Sequence, residues 1–446
     1  MNKWIEKDLE YVWHPYTQMK DNRKSPPILI KKAAGAKLYD EAGKFYYDSI
    51  SSWWCNVHGH NHPKIKQAIN RQLESLEHVL FAGFTHEPAI ALAERLIKLT
   101  KNKFAKVFYS DDGSTAVEVA LKISFQYWRN LGITSKRKFV CLDYGYHGDT
   151  IGTMSVSGID MFNDAFKPLF FPSFRVPSPY CYRCPMGKVR LECGLECVKP
   201  LEKILKEHSR EISGLILEPM VLCAGGMIVY PKEYLEKAAA LAKKYKVHLI
   251  LDEVATGFGR TGKMFAYEHA SNINPDFLCL SKGISAGYLP LAATLTTGKI
   301  YRAFYADYSK RKTFFHGHTY TANPLACAAG VASLEVFDRE NTLANVKKIS
   351  LLLKNGLARF KDLDIVGDVR LIGAIGALEL VKNKQTKERF SSKKRLGFEI
   401  YKKGLKEGLV LRPLGDIIYL FLPLAVKENE LKDILSRFYR TLKSFS

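Results

Sequence analysis

A chain of 446 residues, 47% apolar and 25% charged, is long enough for a large core and two or three domains, with the composition of an ordinary globular protein. No apolar run reaches the roughly 18 residues of a membrane helix. The opening MNKWIEKDLEYVWHPYT has no signal-peptide core, so a cytoplasmic protein with no membrane partner is expected. The net charge of +22 lies in short groups such as Lys243-Lys244 and Lys393-Lys394-Arg395, with no basic stripe interleaved with aromatics. It reads as solvated helix faces, and no nucleic-acid partner is expected.

Residues 1–60 read as an aromatic, irregular segment with a short hairpin, Lys37–Asp40 and Lys44–Asp48, around Glu-Ala-Gly. From 61 to 330 helical and strand patterns alternate. Helical periodicity runs through 63–78, 88–99, 115–130, 198–209 and 231–245. Between these lie apolar runs of strand length at 106–110, 138–142, 213–218, 247–252, 276–281 and 291–297. Such alternation predicts a mostly parallel sheet covered on both faces. After 330 come two helices, 323–338 and 343–360, then strands near 374–380 and 417–422. The expected division is an N-terminal segment (1–60), a large α/β domain (61–330) and a C-terminal α+β domain (331–446), the first and last joined in space.

Ligands of an open parallel sheet collect at the carboxyl ends of its strands. Here those ends carry Asp111-Asp112-Gly113-Ser114, then Asp143 to Asp149, then Glu218, Asp252-Glu253 and Lys282. Five polar ends converging on one edge constitute a candidate site. Thr115-Ala-Val-Glu118 matches a capping box, so a helix is expected to begin there, after Gly113-Ser114, with free N–H groups suited to a phosphate. Lys282, ending an apolar strand, is a candidate for Schiff-base chemistry. Asp252 at the neighbouring strand end is suited to keeping a pyridine nitrogen protonated; the alternative is a structural Asp–Lys pair. Tyr146-His147 offers a flat aromatic surface at the same edge, and His316-Gly-His-Thr319 a polar loop able to bind phosphate. Gly257-Phe-Gly-Arg-Thr-Gly262 has dinucleotide-fingerprint spacing but the wrong surroundings, with no long helix after Gly262 and with Asp276 before its strand instead of at its end; nicotinamide binding is set aside.

Nine cysteines in so long a chain do not make a disulfide framework. Cys141, Cys223, Cys279 and Cys327 read as small buried thiols. Cys181-x-x-Cys184 and Cys193-x-x-x-Cys197 have spacing that can close a structural zinc site; free thiols in a reduced loop are the preferred reading.

Taken together, these residues resemble the class III aminotransferases of the fold-type-I pyridoxal-phosphate enzymes, along nearly the whole chain. The resemblance rests on Gly145-Tyr-His-Gly-Asp-Thr150, on Asp252-Glu-Val-Ala-Thr-Gly-Phe-Gly-Arg-Thr-Gly262 followed by Lys282, and on His316-Gly-His-Thr319. His14-Pro-Tyr-Thr, Ser51-Ser-Trp53-Trp54 and Arg412-Pro-Leu-Gly-Asp point to the branch that aminates 8-amino-7-oxononanoate in biotin biosynthesis. The resemblance implies a large domain with a seven-stranded sheet, a small α+β domain built from both termini, and a homodimer with shared sites. It implies that Lys282 forms the internal aldimine with pyridoxal phosphate and shuttles a proton, and that Asp252 pairs with the pyridinium. Gly113 and Ser114 would hold the phosphate, and His318 and Thr319 would reach the neighbouring subunit's phosphate. Tyr146 would cover the ring and touch substrate. Tyr16, Trp53 and Gly317 would line the substrate channel, with Tyr16 also counted among the catalytic groups, and Arg412 would grip the substrate carboxylate. The paired tryptophans incline the donor towards S-adenosylmethionine over lysine. The alternatives are another ω-amino or diamine transaminase, or an inactive basic protein on the same fold.

Overall fold

The computed structural model describes residues 2–446. Strands β1 (Ile30–Ala34), β2 (Lys37–Asp40) and β3 (Phe45–Tyr47) form an antiparallel sheet. Next in the chain come β4 (Lys106–Ser110), β5 (Lys138–Leu142), β6 (Phe174–Val176) and β7 (Ile212–Leu217), followed by a two-stranded hairpin, β8 (Val221–Leu222) and β9 (Ile228–Val229). Then come β10 (His248–Asp252), β11 (Phe277–Leu280) and β12 (Ala292–Thr296). From β4 onward, all of these except the hairpin join in a seven-stranded sheet of order β4-β12-β11-β10-β7-β5-β6. Only β12 runs against the others, pairing antiparallel with both β11 and β4. The sheet is therefore mostly parallel, as the alternating pattern predicted.

The central strands are apolar without alternation, Ile-Ser-Gly-Leu-Ile-Leu in β7 and Phe-Leu-Cys-Leu in β11, and every residue of both is buried. That is the signature of a sheet covered by helices on both faces. The Gly113–Asn130 helix packs on one face through Val117, Ala120, Leu121 and Ser124. The Lys199–His208 and Lys232–Lys244 helices bury Leu201, Leu205, Leu235 and Ala238 in the other main cluster of apolar side chains.

A third sheet, β13 (Val366–Ile372), β14 (Ile375–Leu380) and β15 (Ile417–Phe421), is antiparallel and backed by the Thr342–Ala358 helix, on which the Glu428–Lys443 helix packs in turn. The N-terminal segment meets this region: Tyr47 N–H donates to Gly408 O at 2.9 Å, and Phe421 N–H donates to Ser49 O.

Several elements differ from the sequence reading. Residues Lys3–Tyr11 form a helix capped by the Asn2 side chain, where an irregular segment was expected. The helix expected over 63–78 stops at Leu73. Strand β13 and the helices Leu396–Lys406 and Glu428–Lys443 were not anticipated. The helix after β4 begins at Gly113, with Asp112 as its cap and Thr115 completing the reciprocal box. Glu118, expected to close a box with Thr115, instead accepts hydrogen bonds from Thr150 Oγ1 and Thr153 N–H, tying this helix to the loop after β5.

Candidate active site

The carboxyl ends of β4, β5, β7, β10 and β11 open on one cavity of about 440 Å³. Its lining includes Gly113, Ser114, Tyr146, Glu218, Asp252 and Lys282, so five strand ends far apart in the chain meet in one place. Parallel pairing of β10 with β11 sets Asp252 opposite Cys279, three residues before Lys282. Lys282 itself has φ +46°, a left-handed conformation that non-glycine residues hold only when their surroundings impose it. Its Nζ lies 5.1 Å from the centre of the Trp54 ring.

Asp252 is buried and accepts Val254 N–H at 3.0 Å through Oδ1. Its Oδ2 lies 2.7 Å from His147 Nδ1, whose ring is buried. The carboxylate fixes Nδ1 as the protonated nitrogen, so the imidazole orients the carboxyl. Tyr146 and His147 both line the cavity, and His147 in addition anchors Asp252.

At the other end, Gly113 and Ser114 are the first two residues of an 18-residue helix. The Asp112 cap uses the Thr115 N–H at 2.9 Å, and Ala116 N–H bonds to Asp112 O, leaving the N–H groups of Gly113 and Ser114 for a ligand. A Cβ on Gly113 would stand 2.6 Å from Val254 Cγ1, so only glycine fits between the helix and the cavity floor. Ser114 Oγ accepts the Asp149 N–H at 2.8 Å, which leaves its own proton free to donate.

The mouth of the cavity is aromatic. Tyr16 contacts the rings of Trp53 and Phe162 edge-on at 5.7 and 5.2 Å. Its hydroxyl donates to Asp149 Oδ1 at 2.6 Å and lies 3.4 Å from the Tyr146 hydroxyl. Burial and the hydrogen bond to Asp149 push the Tyr16 phenol up to about 12, so it remains a neutral donor. Burial raises the Tyr146 phenol further. Arg412 stacks on Trp53, with Cζ 4.4 Å from the ring centre. Its one acceptor among the described residues is Tyr16 O, at 3.5 Å.

Trp53 and Trp54 lie on a left-handed turn in which Ser51, Ser52, Trp53 and Trp54 have φ of 52, 46, 70 and 76°. Such a run costs on the order of 1–2 kcal/mol per residue and persists only if tied down. Buried Arg260 supplies the tie. Its guanidinium donates to Ser51 Oγ, Leu422 O, Trp54 O and Asn56 O, at 2.5 to 3.1 Å, and lies over Phe421. Burial pulls it down to about 9, and it stays charged at neutral pH. This explains the arginine of the Gly257–Gly262 segment, after which no α-helix begins until Gly298.

Gly317, His318 and Thr319 lie in the loop before the Pro324–Arg339 helix and do not line the cavity of their own chain. His318 Nε2 is 3.6 Å from Asp111 Oδ1. The four clustered cysteines lie between β6 and the Lys199–His208 helix, and burial, followed by the three neighbouring thiols, pushes Cys197 up to about 11. Among the described residues, no group of three or more His, Cys, Asp or Glu side chains is disposed to hold a metal. In the sequence Glu218 and Asp149 are legible only as polar residues at strand ends, without a role, and Phe162 carries no signal.

Residues 18–442 match the family described as Aminotransferase class-III. The chain belongs to this family. It is 46% identical over 425 residues to the adenosylmethionine-8-amino-7-oxononanoate aminotransferase of Geobacter sulfurreducens, covering 95% of this chain and 94% of that one. The crystal structure of the enzyme of that name from Methanocaldococcus jannaschii superposes with a TM-score of 0.94 at 40% identity, covering 99% of both chains. A thermostable omega transaminase mutant from Pseudomonas jessenii superposes with a TM-score of 0.95 at 32% identity, covering 100% of this chain and 99% of that one. The protein is thus a pyridoxal-phosphate-dependent aminotransferase of fold type I. Its residues fit the cofactor: a helix start with free N–H groups, a glycine no larger residue could replace, a buried oriented carboxyl and a lysine converge on one cavity.

Proposed function

We propose that this chain transfers an amino group to 8-amino-7-oxononanoate, the step that yields 7,8-diaminononanoate in biotin biosynthesis, with S-adenosylmethionine as donor. The observation that carries this reading is Arg412. It is a guanidinium stacked on Trp53, with one long contact to a carbonyl and no carboxylate partner among the described residues. A long apolar keto acid whose far carboxylate needs a bidentate partner suits it. A sulfonium donor suits the rings of Tyr16, Trp53 and Tyr146.

Pyridoxal phosphate supplies the electron-accepting ring that carries the amino group between donor and acceptor. In this reading Lys282 accepts and returns the proton at the reacting carbon. Asp252, oriented by His147, holds the proton on the ring nitrogen. Gly113 and Ser114 bind the phosphate through N–H and hydroxyl donors. Tyr146 covers the ring, and Tyr16 and Trp53, with Gly317 supplied by the neighbouring subunit, wall the substrate and exclude water. The chain works as a cytoplasmic homodimer in which His318 and Thr319 complete the neighbour's phosphate site. No helix among the described residues is long and apolar enough to cross a membrane. The division into 1–60, 61–330 and 331–446 belongs to the same proposal, the first and last forming one small domain.

The test is a pair of half-reactions followed by visible absorbance. S-adenosylmethionine bleaches the cofactor band, and 8-amino-7-oxononanoate then restores it. Bleaching by lysine and not by S-adenosylmethionine refutes the donor. The likeness to omega transaminases supports a second reading, an ω-amino or diamine transaminase; restoration by simple ketones but not by 8-amino-7-oxononanoate would establish it.

A further inference from the structure

Glu218 is a buried acid in the cavity that none of the roles above uses. It follows the end of β7, and its two oxygens accept different backbone donors, Oε1 from Tyr146 N–H at 3.1 Å and Oε2 from Cys223 N–H at 2.9 Å. Tyr146 belongs to the loop after β5, and Cys223 to the β8–β9 hairpin. The carboxyl therefore bridges two loops that meet nowhere in sequence. Its own backbone is fixed as well, because the Tyr230 hydroxyl donates to Glu218 O at 2.7 Å. One shared anchor holds the residue that walls the cavity.

We propose that Glu218 is a positioning residue for transamination, holding the Tyr146 wall in place and, by its own ionisation, setting the charge beside Lys282. The proposal rests on the pyridoxal-phosphate reading of the cavity. The titratable groups facing Glu218 are Asp252 from the end of β10, Lys282 after β11, the Cys223 thiol and the Tyr230 phenol. Burial, and then the neighbouring Asp252, push the Glu218 carboxyl up to about 8. Below that pH a neutral acid keeps two like charges from meeting in a dry cavity. Above it, the added negative charge holds protons more tightly on the groups around it.

The test uses the holoenzymes of wild type, E218Q and E218D. The amide introduced by E218Q cannot ionise, so the midpoint of the visible-band pH titration falls by about one unit relative to wild type. Its nitrogen also cannot accept one of the two backbone N–H groups, so KM for the keto acid rises about tenfold or more while cofactor is retained. E218D keeps the charge but is one methylene short; its midpoint stays at the wild-type value while KM rises. Stability gives a third readout. A carboxyl raised from 4.5 to about 8 on folding binds more protons folded than unfolded across that window, so wild-type stability is lost as pH rises through it. The Tm of E218Q relative to wild type accordingly climbs between about pH 5 and pH 8. An unchanged midpoint in E218Q overturns the charge role, and unchanged KM in both variants overturns the positioning role. If E218Q fails to fold, E218D alone decides, through its midpoint and KM. The midpoint needs no substrate and stands whatever the acceptor. Absence of any visible band after adding pyridoxal phosphate to wild type would instead refute the cofactor reading.

Discussion

Replacing Arg412 with alanine separates recognition of the acceptor from the chemistry at Lys282. The guanidinium lies 4.4 Å from the Trp53 ring centre and has one weak acceptor among the described residues, Tyr16 O at 3.5 Å. Its removal therefore strands no strong internal partner, and the fold should be little affected. A bidentate fork on a carboxylate is two charge-assisted hydrogen bonds, each worth about 1.5–3 kcal/mol when desolvated. Arg412 is half-exposed, so the lower end applies to both, giving about 3 kcal/mol or roughly a hundredfold rise in KM for 8-amino-7-oxononanoate. Arg412→Lys keeps the charge without the fork and should lose about tenfold. The assay is single-turnover restoration of the visible band at varied keto-acid concentration, with bleaching by donor measured on the same enzyme. Equal damage to both half-reactions, or a large fall in Tm, would mean that Arg412 is structural.

Asp252→Asn should keep the fold and lose rate heavily in both half-reactions, because a neutral partner no longer holds the ring proton. Unchanged single-turnover rates would remove Asp252 from the mechanism. Arg260→Leu leaves four acceptors without their donor around the left-handed Ser51–Trp54 turn, at about 1–3 kcal/mol for each left unmet. A markedly lower Tm and a quenched or shifted tryptophan emission are expected, and wild-type Tm would show that the turn holds itself. Sedimentation should show a dimer at assay concentrations, with Thr319→Ala weakening cofactor retention without dissociating it. A fully active monomer would refute the shared site.

The sequence alone determined the outline of both fold and site. Unbroken apolar runs such as Leu278-Cys-Leu separated by amphipathic helices point to a covered, mostly parallel sheet, and the residue after such a run in a parallel strand lies at the carboxyl edge. That is why Lys282, Asp252 and Gly113 were legible from period and position. Other features depended on contacts between residues far apart in the chain, which no local pattern encodes. β12 runs antiparallel because of which strands flank it, although its own residues are as buried as those of β11. His147 looked like a second stacking surface and became the anchor of Asp252, 105 residues away. The Ser51–Trp54 turn contradicts every local preference for right-handed backbone and exists because Arg260 reaches it from 209 residues along the chain. Cysteine spacing permitted a metal, but spacing measures the chain, and among the described residues no group of three or more His, Cys, Asp or Glu side chains is disposed to hold one. Local chemistry decides which groups stand at the strand ends; tertiary packing decides which of them touch, and so which act.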